Sequence, residues 1–441
     1  MTKNLKILLP IILLIQLLIA AFMGLAHDEA YYWLFSHNLD WGYFDHPPMV
    51  AIVIKMFSFL PNSALALRLG FVLMQFGSLV LLWKLIPQEK RWYSTLLFFA
   101  FPLASFSGLL ALPDMPLLFM SALYCFFLKD YLRSQTVANS IVLGLAIAFL
   151  LYSKYHGILL IFFTLLALPK LFKQKHFYLV TLVALLFFLP HFWWQYAHQF
   201  ATIKYHFIER PSSDFSLKRS IEYLLLQVLM AGVLVGPFLW FKILKFKSET
   251  DFDRAMKFIS VGVVVFFFIS TFSKKFEANW TVFITVSLIY LASRTELFAQ
   301  RWFKPLLFTS FTIVMSARVL LVIPVKMLPI KRLNEFQGWE AFSLQVKERC
   351  RGPILANTYQ IASKLSFYLQ EPIHALNYQS RKNQFDFWVP NETYYLSPKL
   401  CYLTDKKQFD GEEIVTPEGK KLRLIRDFSP TGLSDLKSER K

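Results

Sequence analysis

Cysteine, glycine and charge are all scarce in this chain of 441 residues. The three cysteines, Cys125, Cys350 and Cys401, form no CxxC pair and no His/Cys cluster, which argues against a zinc module. Charged residues make up 17 % of the chain, where an average soluble protein carries about 25 %. Apolar residues reach 56 %, Phe alone occurs 47 times, and mean hydropathy is +0.44. No soluble fold hides that much apolar surface, so a soluble enzyme, a disordered chain and a fibrous protein are excluded. Acids are the deficient sign: 29 Asp and Glu stand against 47 Lys and Arg, for a net charge of +18. On a soluble chain that excess would point to nucleic acid. Here the basic residues punctuate apolar runs, so they speak for membrane topology and anionic lipid, with no nucleic-acid partner.

What is present is a series of long apolar runs. A span needs about 20 mostly apolar residues. Such runs lie near 7–26, 64–86, 94–112, 115–132, 137–153, 157–172, 177–194, 220–241, 256–273, 280–293 and 305–325. The expected fold is an all-α polytopic membrane protein of about 11 transmembrane helices. Residues 1–26 have a signal-peptide-like basic start, but the apolar stretch is long and the cleavage pattern poor, so an uncleaved first span is expected. Basic residues crowd one alternate set of loops, Lys84, Lys90, Arg91, Lys170, Lys173, Lys242, Lys245 and Lys247 among them, and thin out in the other. Cytoplasmic loops carry the excess, which puts the N-terminus inside and, with an odd number of spans, the tail outside. Asp28, Glu29, Asp45 and Asp114 then fall on the outer side. Acids hardly influence topology, so their gathering there points to an active site on that face.

Two domains are expected: a transmembrane domain over 1–325, with a first outer loop at 27–62, and a small extramembrane α/β domain over 326–441. Residues 353–357 and 399–404 read as strands and 358–369 as a helix. Cys350 and Cys401 both fall in this tail, as a disulfide or as two thiols.

The first outer loop, HDEAYYWLFSHNLDWGYFDHPP (27–48), holds four carboxylates, three histidines and seven aromatic residues. Taken singly, Asp28 suits a helix cap, the aromatics an interface belt, and His46-Pro47-Pro48 a stiff turn. Together they leave unexplained an adjacent acid pair at a membrane boundary, where charge is costly and tends to be functional. Residues 49–60 are too short to span and fit an interfacial helix. Asp114, in Leu112-Pro113-Asp114-Met115-Pro116, reads as a helix cap or as a second carboxylate on the same face. Lys154, His156, Lys204, His206, Arg210, Lys274 and Lys275 gather on the outer side, either snorkelling to headgroups or forming a phosphate site.

At these residues the chain resembles the polyprenyl-phosphate-sugar-dependent glycosyltransferases of the C-type fold, the branch of the aminoarabinose–lipid A transferases and protein O-mannosyltransferases. The matching pieces are Asp28-Glu29 with Tyr31, WGYFDHPP (41–48), LPDMPLLF at Asp114, SKYHG (153–157), FEANW (276–280), Tyr359 to Tyr368, and SRKNQFDFW (380–388). The resemblance implies a multi-pass enzyme of a bacterial inner membrane, with a periplasmic active site and a lipid-linked sugar donor on undecaprenyl phosphate. The acceptor would be a lipid, a glycan or a protein. It maps catalytic roles to Asp28 and Asp114, with Glu29 beside them. Donor-phosphate contacts are expected at His46, which stands where the branch has its phosphate-contacting lysine, and from the outer cationic cluster at Lys154, His156, Lys204, Arg210, Lys274 and Lys275. Substrate contacts would come from Tyr31, Tyr43, Asp45, Asn279 and Trp280. The branch carries a lysine ahead of its Pro-Pro; this chain has His46, whose neutral imidazole offers one donor and no charge. Lys154, Lys204 or Arg210 would then compensate.

The expected chemistry is a single inverting displacement in which Asp28 takes the acceptor's proton and the cations stabilise the departing phosphate. No divalent metal or other cofactor is expected. The competing reading is a transporter or lipid flippase. Such proteins favour Gly-interrupted spans, whereas glycine here numbers 15, about half the usual ~7 %.

Overall fold

The computed structural model describes residues 3–205, 213–323, 331–350, 352–388 and 400–428. Every apolar run read from the sequence is helical, whole or in pieces. The first helices are α1 (Lys3–Phe22), α2 (His27–His37), α3 (Met49–Lys55) and α4 (Ala64–Leu85). Next come α5 (Arg91–Ala100), α6 (Pro102–Ser107), α7 (Asp114–Arg133), α8 (Val137–Ser153) and α9 (Ile158–Ala167). They are followed by α10 (Lys175–Ala197), the single turn α11 (Ala201–Lys204), α12 (Leu217–Met230), α13 (Gly236–Lys245), α14 (Asp251–Ser270), α15 (Thr285–Arg294) and α16 (Phe303–Leu320). Five of these, α1, α4, α7, α10 and α16, are long and apolar enough to cross a membrane among the described residues.

Several expected spans are interrupted. Pro102 has no N–H for the helical ladder and its ring opposes the carbonyl four residues back, so 94–112 divides into α5 and α6. The run 220–241 breaks at Ala231–Val235, where Gly232 takes a φ of +108°. The run 280–293 opens as a 3-10 turn, Ala278–Ile284, before α15.

The chain divides into two compact units. The first comprises Met1–Ala21, Asp40–Gly42 and His46–Leu320; the second Phe22–Leu39, Tyr43–Asp45 and Leu321–Lys441. Part of the first outer loop, within Phe22–Leu39 and Tyr43–Asp45, thus falls with the tail in this division.

In the first unit, lipid-type and packed faces separate by helical period. On α1, Ile7, Ile11, Leu14 and Leu18 are exposed, while Ile12, Gln16 and Ile19 are buried. Helices α8 and α10 pack closely at Gly144, where a Cβ would lie 2.8 Å from the Val180 carbonyl oxygen. Among the buried polar contacts, Arg318 (α16) donates to Gln16 (α1) at 2.9 Å, and Gln16 donates to the Gly108 carbonyl at 2.8 Å.

The second unit adds α17 (Trp339–Arg349), α18 (Tyr359–Leu369) and the short α19 (Phe385–Trp388) to α2. Its strands are β1 (Ile354–Ala356), β2 (His374–Ala375), β3 (Leu400–Thr404), β4 (Glu412–Val415) and β5 (Lys421–Phe428), in sheet order β2-β1-β3-β5-β4. Strand β1 runs parallel to β2 and β3, while β5 is antiparallel to β3 and β4. Leu355, Leu376, Leu400, Tyr402 and Phe428 form the core cluster. Cys350 and Cys401 are bonded, tying the end of α17 to β3.

Candidate active site

Asp28 sits in the first turn of α2, half-buried, and its Oδ1 accepts a hydrogen bond from the Tyr359 hydroxyl at 3.2 Å. Burial raises its pKa above the usual aspartate range, and the negative charges of Asp45 and Glu335 add to the shift. A carboxylate made more basic in this way suits proton abstraction. Asp45 is buried, accepts from the Tyr31 hydroxyl at 2.9 Å and pairs with Arg381. Tyr31 in turn accepts the Gln384 backbone N–H at 2.6 Å. His27, next to Asp28, contacts Glu418 at 2.7 Å through Nε2, and its backbone N–H donates to Glu335 at 2.7 Å.

Glu29 and Tyr43 are turned elsewhere. The helix begins at His27, ahead of Asp28, and it is Glu29, fully buried, that accepts the Ala26 N–H at 2.8 Å as a helix cap. Tyr43 stacks on Phe35 with ring centroids 4.0 Å apart, its hydroxyl directed at the Phe35 and Asn38 carbonyls. These contacts give both residues a structural task.

In the first unit, Asp114 opens α7 without capping it and meets Lys154 at 2.9 Å, both side chains buried. The second carboxylate oxygen accepts from Asn279 at 3.0 Å. The pairing suits both helix dipoles: the anion lies at the N-terminus of α7 and the cation follows the C-terminus of α8. Lys154 is therefore no snorkelling surface residue.

Lys154 also lines a cavity of about 960 Å³ that lies wholly within this unit. Its walls are apolar side chains of α8, α9, α10 and α14, including Leu151, Leu159, Phe188 and Phe267. His46, Lys154, His156 and Lys274 contribute the basic groups, and Trp280 lines it too. The His156 ring lies 5.4 Å from Phe267 and 5.5 Å from Trp280. Lys204 and Lys275, expected here, are exposed and do not line this cavity; Arg210 and His206 lie outside the described residues. Lys204 falls just past Thr202, the residue of the α11 turn whose side chain is buried.

Sequence reasoning missed a polar network in the same cavity. The Trp41 carbonyl can only accept, so His191 Nδ1, 2.7 Å away, carries the proton. His191 Nε2 then accepts from the Tyr155 hydroxyl at 2.9 Å, and Gln195 donates to Tyr155 at 2.7 Å. His191 and Gln195 sit one turn apart inside an aromatic run, a spacing that could have marked them. Among the described residues no group of three or more His, Cys, Asp or Glu is placed to share a metal ion.

The fold matches ArnT from Cupriavidus metallidurans in the apo state, with a TM-score of 0.70 and 14 % identity, over 97 % of this chain and 98 % of that one. It matches the same protein bound to undecaprenyl phosphate with a TM-score of 0.71 and 14 % identity, over 97 % and 99 %. The family model described as dolichyl-phosphate-mannose-protein mannosyltransferase matches residues 45–194. The lipid A galacturonosyltransferase RgtD of Rhizobium johnstonii is 25 % identical over 284 residues, 60 % of this chain and 59 % of that protein's length. The match thus spans little more than half of that curated relative. The chain is thus similar in sequence to that family model over residues 45–194 and to RgtD, and similar in fold to ArnT.

Proposed function

We propose that the protein is a multi-pass membrane glycosyltransferase of a bacterial inner membrane. It moves a sugar from a polyprenyl-phosphate carrier, undecaprenyl phosphate or a near homologue, to lipid A or a related acceptor on the periplasmic face. The observation that carries this reading is the first unit's cavity, apolar along its walls with Lys154, His156, His46 and Lys274 among its lining. An isoprenoid tail suits the walls and a phosphodiester suits the cations. The solved relative holding undecaprenyl phosphate and the lipid A-directed relative support the donor and acceptor classes.

In the mechanism, Lys154 stabilises the departing polyprenyl phosphate, and Asp114 with Asn279 fixes that lysine. Asp28 removes the acceptor proton as its oxygen attacks the anomeric carbon, and configuration inverts. Asp114 is thus a positioning residue. No metal takes part in this scheme.

The test is reconstitution in proteoliposomes with undecaprenyl-phosphate-linked sugars and purified lipid A. The expected result is sugar transfer with release of undecaprenyl phosphate, lost in Asp28→Asn and Lys154→Met. An Asp28→Asn protein that folds and transfers at the full rate removes the base role. Uptake of the intact donor across the bilayer without transfer would favour the flippase reading.

A further inference from the structure

Resting on the reading of Asp28 as base, a second residue can be assigned to the same step. We propose that Tyr359 is a positioning residue for Asp28, so that the C-terminal α/β unit is part of the transfer apparatus.

Tyr359 is the first residue of α18, three positions beyond the carboxyl end of β1. Its hydroxyl reaches Asp28 Oδ1 at 3.2 Å. Its ring is held from two sides. The Tyr31 ring packs against it with centroids 4.5 Å apart, and the Arg381 guanidinium lies 5.8 Å from its centroid. Both neighbours are anchored on buried Asp45, Tyr31 by a hydrogen bond and Arg381 by an ion pair. The phenol therefore has little freedom to swing away from the carboxylate.

Holding one carboxylate oxygen fixes the plane of the group and directs the lone pairs of Oδ2, which takes the proton from the acceptor hydroxyl. The choice of donor matters. A cation bonded to Asp28 would strip it of basicity, whereas a neutral hydroxyl orients it at a smaller cost. Burial raises the Tyr359 pKa, and the Asp28 charge adds to this, so the phenol stays protonated and donating. The charged and titratable groups that face Asp28 are Asp45, Glu335 and His27, and its hydrogen bond from Tyr359 works against the two acids.

The test uses the full-length protein in proteoliposomes and two variants. Tyr359→Phe keeps the ring and its packing and removes only the donor. Incorporation of 3-fluorotyrosine at 359 keeps the shape and strengthens the donor. One readout is transfer from undecaprenyl-phosphate-linked sugar to lipid A across pH. The other needs no turnover: carbodiimide labelling of Asp28 against pH, read by mass spectrometry, reports the protonated carboxyl. In Tyr359→Phe, kcat falls about tenfold with donor KM within twofold. The acid limb and the labelling midpoint both move to higher pH, and 3-fluorotyrosine moves them to lower pH. A tyrosine that merely staples α18 to α2 would change the melting temperature and leave kcat and the midpoint in place, and that result overturns the proposal. Full activity in Asp28→Asn would instead overturn the base reading, whatever Tyr359→Phe does to the labelling midpoint.

Discussion

Lys154 and Asp114 lie 40 residues apart, in two segments that read in the sequence as a phosphate ligand and a carboxylate. The residue types were legible, but their pairing was not, because it depends on α7 beginning where α8 ends. The pair is buried, so removing one partner strands the other charge where water cannot solvate it, at about 3–5 kcal/mol. Asp114→Ala and Lys154→Met should each lower the thermal unfolding midpoint. The double variant should lose clearly less than the two losses added, because the charges are coupled. Additive losses in a cycle of melting curves would show no coupling. Asp28 makes a prediction in pH. In the proposed base role its carboxyl must be ionised to act, and its pKa is raised by burial, then by Asp45. Activity should therefore fall as pH drops through a value above the ordinary aspartate range. In Asp45→Asn a like charge disappears and the Arg381 charge is no longer neutralised, so the acid limb should move to lower pH, as a pH profile of kcat/KM would show.

At the scale of elements, the apolar period revealed the helices and the alternation of apolar and turn residues revealed β1, α18 and β3. Strands β4 and β5 were missed because they are charged hairpin strands, with Glu412, Glu413, Lys421, Arg423 and Arg426 masking the buried Ile414, Leu422 and Leu424. The turn between them carries Glu418, whose contact with His27 joins the hairpin to the start of α2. That hydrogen bond lowers the Glu418 pKa. A depressed carboxylate contributes stability above its unfolded pKa and loses it as pH falls through the folded one. The hairpin contact should thus weaken only in acid below the ordinary glutamate range, and Glu418→Gln should remove that part of the acid dependence of unfolding. The α8–α10 contact was invisible in the sequence because a single glycine in an apolar run carries no sign of its neighbour. Gly144→Leu should force the helices apart at Val180 and Val183, costing about 1–3 kcal/mol by melting.

For the whole molecule, long apolar runs and the loop charge bias were enough to read a multi-pass membrane protein. The cavity was not legible, because its walls come from four helices and no one of them shows a concave face. Orientation is where the loop charges and the tail cysteines can be set against each other. The charge bias predicts a C-terminal unit on the outer side, and that unit holds the Cys350–Cys401 bond, closing 51 residues of sequence between α17 and β3. A structural bond of this kind is rare in the reducing cytosol and common outside it. It should contribute about 2–4 kcal/mol to the second unit by restricting its unfolded chain. Blocking free thiols in intact cells, then reducing and relabelling, should therefore mark Cys350 and Cys401 only after reduction, and Cys350→Ser/Cys401→Ser should melt earlier than the parent. If both tail cysteines react with the first reagent, and only once the inner membrane is permeable to it, the tail faces the cytosol. The loop charges would then have misled, and Asp28, which belongs to the same unit, could not act on a periplasmic acceptor.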